Sequence, residues 1–198
     1  MTSQSYLALV AFGLVIPAFA ATTAPDDPWL VGRTEPRWGD AAPRRTLQAE
    51  HNSDKTDKEN GAALAQAIRD LDPGDMLRIG PGRYSVARTL EVDLRGTAEG
   101  PIWIVGAGAD RLPIITRPDA RQNVMNVGER SRPEYVCFRH LEFTGGSTLI
   151  RFHDCHDLWL DQCQLHHAGH EGITTNTRDT SRLFRLCRRL LPPRRCRK

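Results

Sequence analysis

Six of the seven histidines lie between residues 140 and 170, and the densest group is His166-His167-Ala168-Gly169-His170-Glu171. Imidazole exchanges protons near neutral pH, and a neighbouring carboxylate can orient it or hold a cation. Arg178 follows closely and would neutralise negative charge developing on a substrate. The chemistry these residue types fit is general acid–base proton transfer on a bound substrate. The catalytic candidates are His167 and His170 for the proton, Glu171 as the orienting or cation-binding carboxylate, and Arg178 for substrate charge. A solvated turn with incidental histidines is the plainer alternative. His166 and His170 have the i, i+4 spacing of a helical zinc pair, but Gly169 and the flanking strand patterns argue against a helix there. His153 and His156 fall in a predicted turn, where solvation is expected rather than ligation. Arg139, His140 and Glu142 alternate along a strand, and some of them would line a groove.

The elements that must position these groups form a repeat. Ile102–Val105, Tyr135–Phe138 and Leu158–Leu160 open successive cycles of about two dozen residues. Pro113–Thr116, Leu141–Phe143 and Gln164–His166 follow as second strands, and Val124–Val127, Leu149–Phe152 and Ile173–Asn176 as third strands. Self-similarity of this period signals a stacked solenoid. Three strands per cycle without helical crossovers exclude a doubly wound sheet. Each strand should pair with its counterpart one turn later, placing Val136 over Leu158, Phe138 over Leu160 and Leu141 over Cys163. Met76–Ile79 reads as an earlier strand and Tyr84–Val92 as a further extended stretch. Gly61–Leu71 carries apolar residues at helical spacing and stops at Asp72-Pro73-Gly74-Asp75. That helix would cover the open end of the strand stack.

Leu7–Ala20 is an uncharged apolar run ending in Ala18-Phe19-Ala20, which predicts a cleaved signal peptide over residues 1–20 and a secreted or periplasmic protein. An uncleaved anchor is the alternative. Residues 21–60 form a polar N-terminal segment, with His51–Asn60 loosely attached and Trp29 and Trp38 available to pin it to the body. The net charge of +3 is misleading, because residues 182–198 hold seven Arg, one Lys and no acid, leaving −5 for the remainder. Nucleic acid is therefore not an expected partner. The five cysteines, at 137, 155, 163, 187 and 196, include no C-x-x-C pair. They read as small apolar fillers of a tight interior, though disulfides are open to an exported chain.

Pro73-Gly74-Asp75, the strand after it and Pro81-Gly82-Arg83-Tyr84 resemble the entrance to right-handed parallel β-helix proteins of the pectate-lyase-like superfamily. The preceding helix is similar to their N-terminal cap, and His153-Asp154-Cys155-His156-Asp157 resembles their inter-coil turns. The resemblance covers roughly residues 61–186 and implies an all-β, three-strand-coil fold. It also implies action on an anionic polysaccharide, by elimination or epimerisation through proton abstraction at C5 of a uronate. A non-catalytic carbohydrate-binding or surface-adhesion solenoid is the alternative, since the superfamily holds both. No Asn-Asn-x-Glu calcium motif is present, so the cofactor is unknown, with calcium one candidate. Gly169-His170-Glu171-Gly172 resembles the Gly-His-Gly of polygalacturonases. Asn176-Thr177-Arg178-Asp179 resembles their Asn-Thr-Asp, but with an insertion and in the wrong order, so no role transfers. Residues 187–198 read as a basic irregular tail whose Arg, Leu, Pro and Cys content fits an out-of-frame reading, which would make the chain an inactive product. On that expectation the repeat is cut short, and its uncapped last coil would be prone to self-association.

Overall fold

The computed structural model describes residues 35–108, 110–176 and 186–190. The predicted signal peptide, Trp29, Arg178 and the end of the basic tail lie outside them. The described chain is mostly parallel strand, arranged in a curled sheet, with one α-helix. A first ladder stacks β1 (Arg45–Ala49), β2 (Asp75–Ile79), β5 (Ile102–Gly106), β8 (Glu134–Arg139) and the first half of β11 (His156–His166). A second stacks β3 (Arg83–Ser85), β6 (Ile114–Arg117), β9 (Glu142–Gly145) and the second half of β11. A third stacks β4 (Leu90–Val92), β7 (Met125–Val127), β10 (Thr148–His153) and β12 (Glu171–Asn176). Because β11 turns the corner without a break, the first two ladders belong to one sheet.

Alternation along each strand sends one set of side chains inward. Leu77, Ile104, Phe138 and Leu160 stack in the first ladder, Tyr84, Ile115 and Phe143 in the second, and Leu90, Met125 and Ile150 in the third. They meet in one continuous buried core. The expected stacks of Val136 on Leu158 and Phe138 on Leu160 are present, and Leu141 and Cys163 are both buried in that core.

Several boundaries differ from the sequence reading. Tyr84–Val92 is two strands rather than one, because Val86-Ala87-Arg88-Thr89 turns a corner. The three-strand cycle therefore begins one turn earlier, with β2, β3 and β4. The helix α1 starts at Asp57, not Gly61, since Thr56 and Glu59 close a reciprocal capping box. Thr56→Ala should lower stability by about 1 kcal/mol in urea denaturation. Helix α1 packs on β3 and β4 and feeds Leu64 and Ile68 into the core. Gly61 permits this approach, because a Cβ there would meet Ser85 O at 2.3 Å.

The polar N-terminal segment is also more ordered than its composition predicts. Arg45–Ala49 pairs with β2, and the Asn60 amide donates to the Asn52 carbonyl and accepts from the Asn52 N–H. Trp38 lies across the outside of the first ladder, edge-on to Trp159 and beside Trp103 and Tyr135. Arg139 stacks over Trp159 at 4.5 Å and pairs with buried Asp161 at 2.8 Å. The basic tail does not begin irregularly either: β13 (Leu186–Leu190) pairs in parallel with β11. Cys187 lies opposite Trp159, and Leu190 lies opposite Cys163. Backbone pairing requires no apolar pattern, which is why the strand continues into arginine-rich sequence.

An ion pair ties β1 to β2: Arg45 Nε donates to Asp75 Oδ1 at 2.9 Å, and the Asp72 N–H donates to Asp75 Oδ2 at 2.8 Å. The hydrogen bonds from Arg45 hold the buried Asp75 carboxyl below its usual range. A carboxyl depressed in the folded state adds stability above its unfolded value of about 3.9, and that stability is lost as pH falls through the folded value. Asp75→Asn should lower the urea midpoint at pH 7, and the gap from the parent chain should close as pH drops below about 4. A gap that stays constant down to that pH would refute the linkage.

Candidate active site

Strand alternation continued past His166 would put His167 on the opposite face, but the structure brings the two rings together. The chain enters the left-handed region at His167, with φ 55°. The same corner one turn earlier is Gly145, with φ 78°. Two other corners repeat likewise, at Tyr135 and Asp157 and at His140 and Gln162. Left-handed backbone is uncommon outside glycine but enriched for His, Asp and Asn. Part of the histidine density is thus bend chemistry, and at His167 the bend turns the ring back along the chain.

The result is a chain of three groups. Glu142, on β9, and His166, at the end of β11, face outward from adjacent strands of the second ladder, with His166 Nε2 3.0 Å from Glu142 Oε1. His166 Nδ1 lies 2.5 Å from His167 Nδ1, and the rings meet edge to face. A carboxylate oxygen only accepts, so His166 donates from Nε2 and, as a neutral ring, keeps its lone pair on Nδ1. Two lone pairs cannot face each other at 2.5 Å, so His167 donates from Nδ1. Its Nε2 lone pair is then directed away from the relay, on an exposed residue. The Glu142 and His166 side chains are 17% and 22% exposed, which holds the relay half out of water.

The other candidates are placed differently. His170 is exposed, and its backbone N–H donates to Ser147 O at 2.8 Å. Glu171 opens β12 opposite Thr148, and its carboxylate accepts from the Thr174 hydroxyl. Glu171 thus opens the strand after the His167 corner, on the third ladder, and His170 lies in the bend just before it. Glu142 and His166 were the members missed as catalytic candidates, because strand register, not proximity in sequence, joins Glu142 to the histidines.

Two expectations are corrected outright. His153 is not solvated: it ends β10 with its side chain 8% exposed, 3.2 Å from Glu129 Oε2. His156 begins β11 half-buried between Glu134 and Asp157. On the outside of the third ladder, Asn126 donates to Glu91, whose carboxyl burial and the charges of Asp93 and Glu129 push up. The three cysteines whose side chains are described do behave as fillers. Cys137, Cys155 and Cys163 are buried free thiols, and burial pushes Cys155 and Cys163 up to about 12, which removes them as nucleophiles at neutral pH.

The architecture has a solved counterpart. An alginate lyase from Paenibacillus sp. str. FPU-7 superposes with a TM-score of 0.54 at 19% identity, over 68% of this chain and 43% of that one. The chain therefore matches less than half the length of that enzyme. No family model and no curated protein matches the sequence. Among the described residues no helix is long and apolar enough to cross a membrane.

Proposed function

We propose that the curled sheet is a right-handed parallel β-helix of an exported protein that processes an anionic polysaccharide. The reaction is proton abstraction at C5 of a uronate, completed as β-elimination. The observation that carries this reading is the Glu142–His166–His167 relay, which leaves His167 Nε2 as a free base at an exposed corner. The fold shared with an alginate lyase supports the substrate class. In this reading His167 takes the C5 proton and the C4–O bond breaks. The C5 electron pair becomes the C4–C5 double bond, and the leaving oxygen is protonated. His170, in the bend before β12, is assigned to supply that proton, and Glu171 to orient substrate hydroxyls. Arg178 is assigned to the C6 carboxylate, where a positive charge stabilises the carbanion-like transition state.

The test is incubation of the full chain with polymannuronate, polyguluronate, pectate and chondroitin, following ultraviolet absorbance of the unsaturated uronate. Product from one polymer supports elimination. Retention on an immobilised polymer without product from any of the four would instead identify a binding solenoid and overturn the catalytic assignment.

A further inference from the structure

The outer face of the third ladder holds a second group of polar side chains, separate from the relay. Glu91 on β4 and Asn126 on β7 stand on adjacent strands, joined by the Asn126 amide at 3.3 Å. Glu129 follows β7, and His153 ends the neighbouring β10. Four buried polar atoms here have no hydrogen-bond partner: Glu91 Oε2, Glu129 Oε2, and both ring nitrogens of His153. Leaving such groups unsatisfied ordinarily costs about 1–3 kcal/mol each, so their concentration on one patch calls for a ligand.

The contact between His153 and Glu129 indicates which kind. Their Nε2 and Oε2 atoms are 3.2 Å apart, close enough for a hydrogen bond, yet the direction is wrong for one. Two ligand atoms bound to one metal ion show this relation. With metal–ligand bonds of about 2.0–2.2 Å, neighbouring ligands at tetrahedral or octahedral angles lie about 3.0–3.5 Å apart. Their lone pairs then converge on the ion rather than on each other.

We propose that Glu129 and His153 are two ligands of a divalent transition-metal ion on the outside of the third ladder. Among the described residues, no three His, Cys, Asp or Glu side chains already converge as a metal-binding group. The third protein ligand is Glu91, whose Oε2 is unpartnered and whose strand pairs with β7 just before Glu129. It reaches the ion by turning about its own side chain, and water completes the shell. An imidazole with carboxylates selects an ion of the manganese or zinc class over calcium, which takes oxygen ligands. The ion would tie β4, β7 and β10 together across three turns of the sheet.

Manganese is the appropriate probe, because the exposed imidazoles of His167 and His170 would compete for zinc. The experiment titrates Mn2+ into the chelator-treated full chain and follows free Mn2+ by electron paramagnetic resonance. One ion per chain is expected, with affinity falling at least about tenfold in His153→Gln and in Glu129→Gln. His166→Ala and His170→Ala should bind as the parent chain does, which separates this site from the relay. If buried His153→Gln does not fold by circular dichroism, Glu129→Gln carries the test, its side chain being 38% exposed. No Mn2+ bound, or binding unchanged by substitution of Glu129, overturns the proposal. Neither result depends on whether the chain cleaves a polysaccharide.

Discussion

His167→Ala is expected to lower kcat of uronate elimination by about 10²–10⁴-fold, the usual contribution of a positioned general base, with little change in KM. The exposed ring supports no core packing, so the loss should come without unfolding. His167→Gly sharpens the test. Residue 167 has φ 55°, where glycine is at ease and alanine is strained by about 1 kcal/mol. The glycine variant should therefore be at least as stable as the alanine variant and equally inactive. If either keeps parental activity, His167 is not the base.

Glu142→Gln probes the relay without removing the base. A glutamine amide can donate to His166 Nε2, moving the His166 proton to Nδ1. His167 Nδ1 must then accept, and its proton moves to Nε2, the atom that is to take the C5 proton. A loss of about 10–100-fold is expected, smaller than for His167 because the amide can also turn its oxygen toward His166. A purely structural role for Glu142 would lower stability and leave the rate of folded enzyme unchanged.

The strand ladders were legible because their inward residues are apolar at a fixed spacing, and the register of Val136 on Leu158 could be counted directly. What stayed hidden depended on groups with no periodic signature. Arg45–Ala49 offers only Leu47 and Ala49 to the core, so nothing in its composition marks a strand. Thr56 and Glu59 did spell a capping box, but the polar run around them reads equally well as a loop. The relay was invisible for a different reason. Alternation predicts opposite faces for His166 and His167, and only the left-handed corner overrides it. Glu142 arrives through pairing between β9 and β11, which a list of neighbouring residues does not contain. Buried His153 was misread because a short polar run between strands is usually a solvated turn, whereas here it lies within the packed wall.

The second large effect is expected at Phe138. Its ring is 1% exposed, stacked between Ile104 and Leu160 in the middle of the first ladder. Phe138→Ala should cost about 3–5 kcal/mol, from lost burial and from the cavity left in a wall whose backbone pairing resists collapse. In a stacked architecture each turn is stabilised mainly by its neighbours, so a gap at the central turn weakens both interfaces at once. Leu47→Ala, at the partly buried end of the same ladder, touches one interface and should cost about 1–2 kcal/mol. Urea denaturation followed by tryptophan fluorescence reads both changes, since Trp103 and Trp159 sit on the outer side of the affected strands. The m-value carries further information: if the turns form one cooperative unit, Phe138→Ala shifts the midpoint at constant m. A reduced m with two separable transitions would show that the central turn had uncoupled the halves. Equal, small losses for both variants would refute the idea that the single core joining the three ladders dominates stability.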